Sequence, residues 1–209
     1  MIHNGKVFLV KVLLVALILI FSLQSISMTD DIKELQIEGI GVGDSLLEYF
    51  NKEEIEKEKM SKYSLWYKNK KYVQIGVGGG SPLYRQLNNY DDMSLVLKSG
   101  DDSYKLYMVA GRIFCENIST CKKQQKEIVK ELKIFFDGKA SINIDNRNHS
   151  ADPSGESKSY RTEFLFEDGI SYVEVSVYDW SEKMEFPDNL KVAIVTKQFS
   201  EFLSNEAYE

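Results

Sequence analysis

In residues 119–136, Cys121, Gln125, Ile128, Val129, Leu132, Phe135 and Phe136 recur at one spacing, i, i+4, i+7, i+8, i+11, i+14 and i+15. That is a single stripe on a helix, with lysines and glutamates on the opposite side. Gly138 supplies the stop. A helix with one apolar stripe has to lay it on something, and the sequence around it alternates by two. Val173, Val175 and Val177 interleave with Glu174 and Ser176, the pattern of a strand with one buried and one wet face. One long amphipathic helix among hairpins predicts an α+β chain rather than a doubly wound parallel sheet.

Local signals place the other elements. Residues 34–38 predict a short strand. Ser45-Leu46-Leu47-Glu48 has the form of a capping box, and Asn51 with Glu54 repeats the signal, so two short helices are expected before Lys59. Residues 72–77, 90–98 and 103–115 read as strands, the last two as a hairpin about Ser99-Gly100-Asp101-Asp102. Residues 141–158, rich in Asn, Asp, Ser, Pro and Gly, read as a long loop. Residues 159–166 and 170–179 form a hairpin on Asp168-Gly169, a type I′ signal. Residues 190–195 are a further strand, and Thr196 caps a last helix carrying Phe199, Phe202 and Leu203. The order is helices then antiparallel strands, twice, with a C-terminal helix. The expected fold is α+β: antiparallel sheet with helices on one face, built from two helix-then-hairpin halves.

The N-terminus stands apart. Lys6 and Lys11 precede an unbroken apolar run over residues 12–21, and Ser25-Ile26-Ser27 offers a cleavage site. This is the order of a secretory signal peptide, with an uncleaved membrane anchor as the alternative. Residues 1–27 are therefore assigned as signal peptide or anchor and 28–209 as one exported domain, periplasmic or held at the inner membrane. Removing 1–27 takes two lysines and no acid, leaving 24 basic and 32 acidic residues and a net charge of −8. An acidic surface without a basic stripe disfavours nucleic acid. Contact with a membrane is expected only through the N-terminal segment. Cys115 and Cys121 are the two cysteines of the chain. In an oxidising compartment, one at a strand end and the other at a helix start, they are expected to form a disulfide.

Candidate chemistry is sparse. Gly43-Asp44-Ser45-Leu46 spells the nucleophile block of GDSL hydrolases, whose serine needs an Asp-x-x-His pair. His149 is the one histidine outside 1–27, and Asn146, not an acid, stands three residues before it. Ser45 with His149 is thus kept as a hydrolase alternative, and Ser45 as a helix cap is preferred. The glycine runs at 39–43 and 76–80 lack the third glycine or the lysine of a phosphate-binding loop and read as turns. The loop NRNHSADPSGES gathers His149, Asp152, Ser154 and Glu156, candidates for a binding loop. No metal-ligand spacing and no cofactor motif emerges.

The stretches IEGIGVGDSLLEYFNKEEI, FCENISTCKK, HSADPSGES and VYDW, followed by a strand and TKQFSEFL, resemble a group of small exported proteins of unknown function from AT-rich marine alphaproteobacteria. The lysine bias, with arginine only at 85, 112, 147 and 161, fits such a genome. The resemblance implies export and carries no activity onto any residue. By element order alone the chain is also similar to small envelope domains of the BamE and beta-lactamase-inhibitor-protein type. The expected function is a non-catalytic exported domain that binds an envelope protein or small ligand.

Overall fold

The computed structural model describes residues 32, 35–167 and 169–207. The segment read as signal peptide or anchor, and Asp168 of the expected type I′ turn, lie outside them.

The first half opens on a two-strand ladder, β1 (Gln36–Ile37) and β2 (Ile40–Gly41), and a 3-10 turn over Leu46–Glu48. Helix α1 (Lys52–Lys59) follows, then β3 (Leu65–Trp66), β4 (Tyr72–Gly78), β5 (Asp92–Lys98) and β6 (Leu106–Phe114). The second half is helix α2 (Ile118–Phe135), then β7 (Ser141–Asn148), β8 (Lys158–Leu165), β9 (Tyr172–Asp179) and β10 (Asn189–Val195); α3 (Lys197–Asn205) comes last. Strands β3 to β10 form one sheet in the order β3-β4-β5-β6-β10-β9-β8-β7, antiparallel at every seam. Each half is therefore a helix followed by a four-stranded meander, and the meanders join through their last strands. The architecture is α+β with antiparallel sheets, as the element order predicts.

The helix stops and starts follow from local chemistry. Asn51 and Glu54 satisfy each other's backbone N–H groups in a complete capping box. Asn117 accepts from the Thr120 N–H at 3.0 Å, and Thr196 from the Phe199 N–H at 3.4 Å. The α2 stripe is buried at Cys121, Ile128, Leu132 and Phe136, but Phe135, expected on it, is exposed. Gln125, the polar member of that stripe, pins the helix to the sheet: its Nε2 donates to the Tyr160 and Val175 carbonyls at 2.7 and 3.0 Å.

Two cores lie on opposite faces of the sheet. Ile55 of α1 and the α2 stripe pack on Val73, Ile75, Leu95, Val109, Val175 and Val192. The neighbouring, oppositely directed residues Tyr72, Val96, Met108, Ala110 and Val195 meet Phe199 and Phe202 of α3. The C-terminal helix thus covers the second face, over the first meander, which corrects the expectation of helices on one face: Phe199 and Phe202 pair with the oppositely directed aromatic Tyr72. In β6, Gly111 allows the Tyr90 ring to lie against the strand; a Cβ there would stand 2.5 Å from that ring.

Four local expectations are corrected. The Ser45–Glu48 box does not form: Ser45 Oγ accepts from the Leu47 N–H at 3.3 Å and donates to the Ser103 carbonyl at 2.6 Å. Backbone bonds from Gly43 and Leu46 to Leu106 and Tyr104 fix this segment, so only a 3-10 turn follows. Residues 141–148 are the edge strand β7, not loop. Its ladder to β8 supplies the bonds, and with most of its side chains in water it needs no hydrophobic alternation. The β8–β9 hairpin is wider than a two-residue turn, closing where the Gly169 N–H meets the Phe166 carbonyl, with Gly169 at φ 68°. Last, the face of β9 expected to be wet is buried, with Glu174 at 4 % exposure and Ser176 at 0 %.

Candidate functional site

The buried polar face of β9 is the floor of a groove. Strand register lines up its side chains in ranks across the sheet. One rank runs Arg112, Lys191, Ser176, Arg161 from β6, β10, β9 and β8. The rank on one side is Asn189, Tyr178, Ser159, Arg147; on the other it is Ala193, Glu174, Glu163, Asn143. Period-two alternation turns all of these to the same face, opposite α2. Phe199 and Phe202 seat α3 on Tyr72 of the first meander, and beyond it lies a groove of about 1220 Å³.

Its charges are paired inside the protein. Glu174 receives Lys191 Nζ at 2.8 Å and faces Arg161 Nε at 3.3 Å. Arg161 Nη1 reaches Glu163 at 3.1 Å, and Arg112 grips Asp92 through two bonds of 2.7 Å. Arg147 lies 3.0 Å from Asp145. Each of these four cations of the groove has its own carboxylate contact, so the set of four arginine or lysine and four acid side chains is neutral. Burial alone raises the Glu174 carboxyl, but Lys191 and Arg161 outweigh it and hold it below its ordinary range. Lys191 shows the reverse balance: burial lowers its ammonium, and Glu174 more than offsets this. Both groups are charged at neutral pH.

An aromatic shelf closes one end. His149 packs on Trp180 with ring centres 4.3 Å apart and on Tyr178 at 5.3 Å, and Trp180 meets Phe186 at 5.1 Å. The Lys191 ammonium sits 5.3 Å from the centre of the Tyr178 ring. His149 Nδ1 accepts from the Ala151 N–H at 3.2 Å, which places the proton of the neutral imidazole on Nε2. Burial, then Lys191, Arg161 and Arg147, lower its pKa from the usual value, so it is neutral at pH 7. Beneath the shelf, flanking Tyr178 in register, are Ser159 and Asn189, 3 % and 5 % exposed. Asn189 Nδ2 donates to the Pro187 carbonyl, but Asn189 Oδ1 and Ser159 Oγ meet no partner among the described residues.

Of the four loop residues singled out by sequence, His149 alone lines the groove. Asp152 is buried and gathers the N–H and Oγ of both Ser154 and Ser157 at 2.6–2.9 Å, and Ser181 Oγ at 2.9 Å. These bonds, from Ser157 first and Ser154 next, hold its carboxyl well below the usual range. Asp152 and Ser154 build the loop and tie it to the segment after β9. Glu156 pairs with Lys183 in solvent at 2.7 Å. Ser45 does not approach His149. It bridges Lys105, next to the first residue of β6, whereas His149 overlies Tyr178, whose rank meets Phe114 at the other end of that strand. At about 3.3 Å per residue the strand separates them by roughly 25 Å. The Cys115 and Cys121 sulfurs are at bonding distance, 1.98 Å, with Cα atoms 5.7 Å apart. Arg161, Ser159, Glu174, Tyr178, Trp180, Asn189 and Lys191 went unmarked in the sequence; the one signal was a charged residue at alternate positions of three predicted strands.

No protein-family profile matches the chain, and no curated protein sequence is significantly similar to it. Among solved structures, one described as a point mutant of the protein Mog1 is similar over 71 % of this chain and 86 % of its own, at 11 % identity and a TM-score of 0.28. A likeness at that TM-score says nothing about function.

Proposed function

We propose that the protein is an exported, non-catalytic binding domain that takes a small ligand into the groove of its sheet. The observation that carries this is the Arg161–Glu174–Lys191 network, buried on a part of the sheet face that lines an open groove. Apolar side chains of the same volume would stabilise the fold at least as well as a buried ion network. A concave face that combines fixed charges, an aromatic shelf and unpartnered polar atoms has the makeup of a ligand site. The hydrolase alternative finds no support, since Ser45 is at the far end of β6 and His149 Nδ1 is taken by a backbone amide. Export rests on the lysine-flanked apolar run and Ser25-Ile26-Ser27, and the acidic balance speaks against nucleic acid. A ligand of the groove changes the surroundings of Trp180. In a Trp66→Phe background Trp180 is the remaining tryptophan, and titration with neutral sugars, amino acids, short peptides and inorganic anions should shift its emission for one class. A flat response to all of them refutes the reading.

A further inference from the structure

The chemistry of the groove narrows the class of ligand, on the reading that the groove is a binding site. We infer that it takes a neutral saccharide, a ring with hydroxyl groups, seated against the His149–Trp180–Phe186 shelf above Ser159 and Asn189. Two independent observations converge on this. The first is a pair of buried atoms on side chains that line the groove, Ser159 Oγ and Asn189 Oδ1, which meet no partner among the described residues; the other orphaned atoms of this face, Arg161 Nε and Ser176 Oγ, lie beside Glu174. A buried polar group without a partner costs free energy, and such atoms are met by water or a ligand. Asn189 Oδ1 only accepts, so the incoming group has to donate; Ser159 Oγ does either. The two stand on either side of Tyr178, two strands apart, so one ligand hydroxyl donates to Asn189 Oδ1 and a second meets Ser159 Oγ. The second observation is charge. Arg112, Arg147, Arg161 and Lys191 are each already bonded to or facing Asp92, Asp145, Glu163 or Glu174. A charged ligand has to compete with these contacts, whereas a neutral one leaves them intact. The rings supply the rest: the C–H faces of a sugar ring pack on aromatic faces, and Tyr178, Trp180 and Phe186 present them beside the polar atoms.

A glycan array probed with the full chain, followed by calorimetric titration of the best neutral mono- and oligosaccharide, tests this. Binding of a neutral saccharide is expected, with an affinity unchanged between low and high salt because no ion pair is formed or broken. Trp180→Ala should weaken it about 10-fold or more, and Ser159→Ala and Asn189→Ala roughly 3- to 10-fold each. Trp66→Ala should leave it unchanged. Ser159→Ala also separates a binding role from a structural one: removing an orphaned hydroxyl should leave the melting temperature equal or higher while binding falls. An array without neutral-saccharide binding, alongside a Trp180 emission shift with a tripeptide amide or with inorganic phosphate, overturns the saccharide inference and keeps the groove as a site. Saccharide binding untouched by Trp180→Ala and Ser159→Ala overturns the placement. Silence of Trp180 toward every probe overturns both readings.

Discussion

Glu174 shows how a single carboxylate organises the groove. It is shared by Lys191 and Arg161, and the Tyr178 hydroxyl stands 3.5 Å from it. Glu174→Gln leaves two half-buried cations without their common partner and should cost about 2–3 kcal/mol, at or below the scale for breaking a fully buried pair. The sign of the pH dependence follows from the lowered carboxyl. The native state holds the ionised form more strongly than the unfolded chain, so the contribution is fully present above the ordinary value of 4.5 and is lost as the pH falls through the depressed one. His149 acts in the same direction, since a base whose pKa is held down loses native stability on acidification below about its ordinary 6.5. Urea melts of wild type and Glu174→Gln should therefore differ most near pH 7 and converge as the pH falls through that depressed value. Equal stability at pH 7 contradicts the network's role. At this scale the sequence was only partly readable. Val173, Val175 and Val177 announced their face, yet Glu174 looked solvated, because what buries it arrives from β8 and β10.

Elements were more legible where their determinants are local. The caps at Asn51 and Thr196 and most of the stripe on α2 lie within a few residues of what they control, and these form as expected. Strand β7 was hidden because an edge strand takes its stability from a ladder with β8 and carries the Asn, Asp and Arg that keep an exposed edge from pairing with other chains. The junction of β6 and α2 was readable from two cysteines. Their sequence separation of 6 closes a short loop, worth about 2 kcal/mol in the chain-entropy model. Under the proposed export, native protein should show no free thiol when denatured without reductant, and Cys115→Ser with Cys121→Ser should lower stability by about that amount. Two titratable thiols in the isolated protein contradict the bridge. The loss should spare saccharide binding, since neither cysteine lines the groove.

On the scale of the whole molecule, one sheet carries two meanders with a helix before each, which the repeated element order foretold and no sequence repeat betrayed. What element order did not reveal was which strands meet, and hence that α3 crosses to the second face and leaves a groove beside it. The proposed export is a property of the whole chain too. Mass spectrometry of the native protein should find an N-terminus just after Ser27, from the apolar run and Ser25-Ile26-Ser27. A membrane-bound form that keeps Met1 identifies the segment as an anchor instead.

The joining of the meanders through β6 and β10 also sets a timetable. Each meander forms from neighbours in the chain, but Met108 waits for Val195 and Phe114 for Asn189, partners separated by the whole second half. A chain that emerges N-terminus first holds β6 with one open, apolar border until its last strand arrives, and non-local pairing of that kind is slow. The interval is a vulnerability of biogenesis that the finished fold conceals, and on the proposed export it falls outside the reach of cytoplasmic helpers. Pulsed hydrogen exchange during refolding should protect β4 and β5 amides before those of β10. Simultaneous protection would show instead that both meanders assemble in one concerted step.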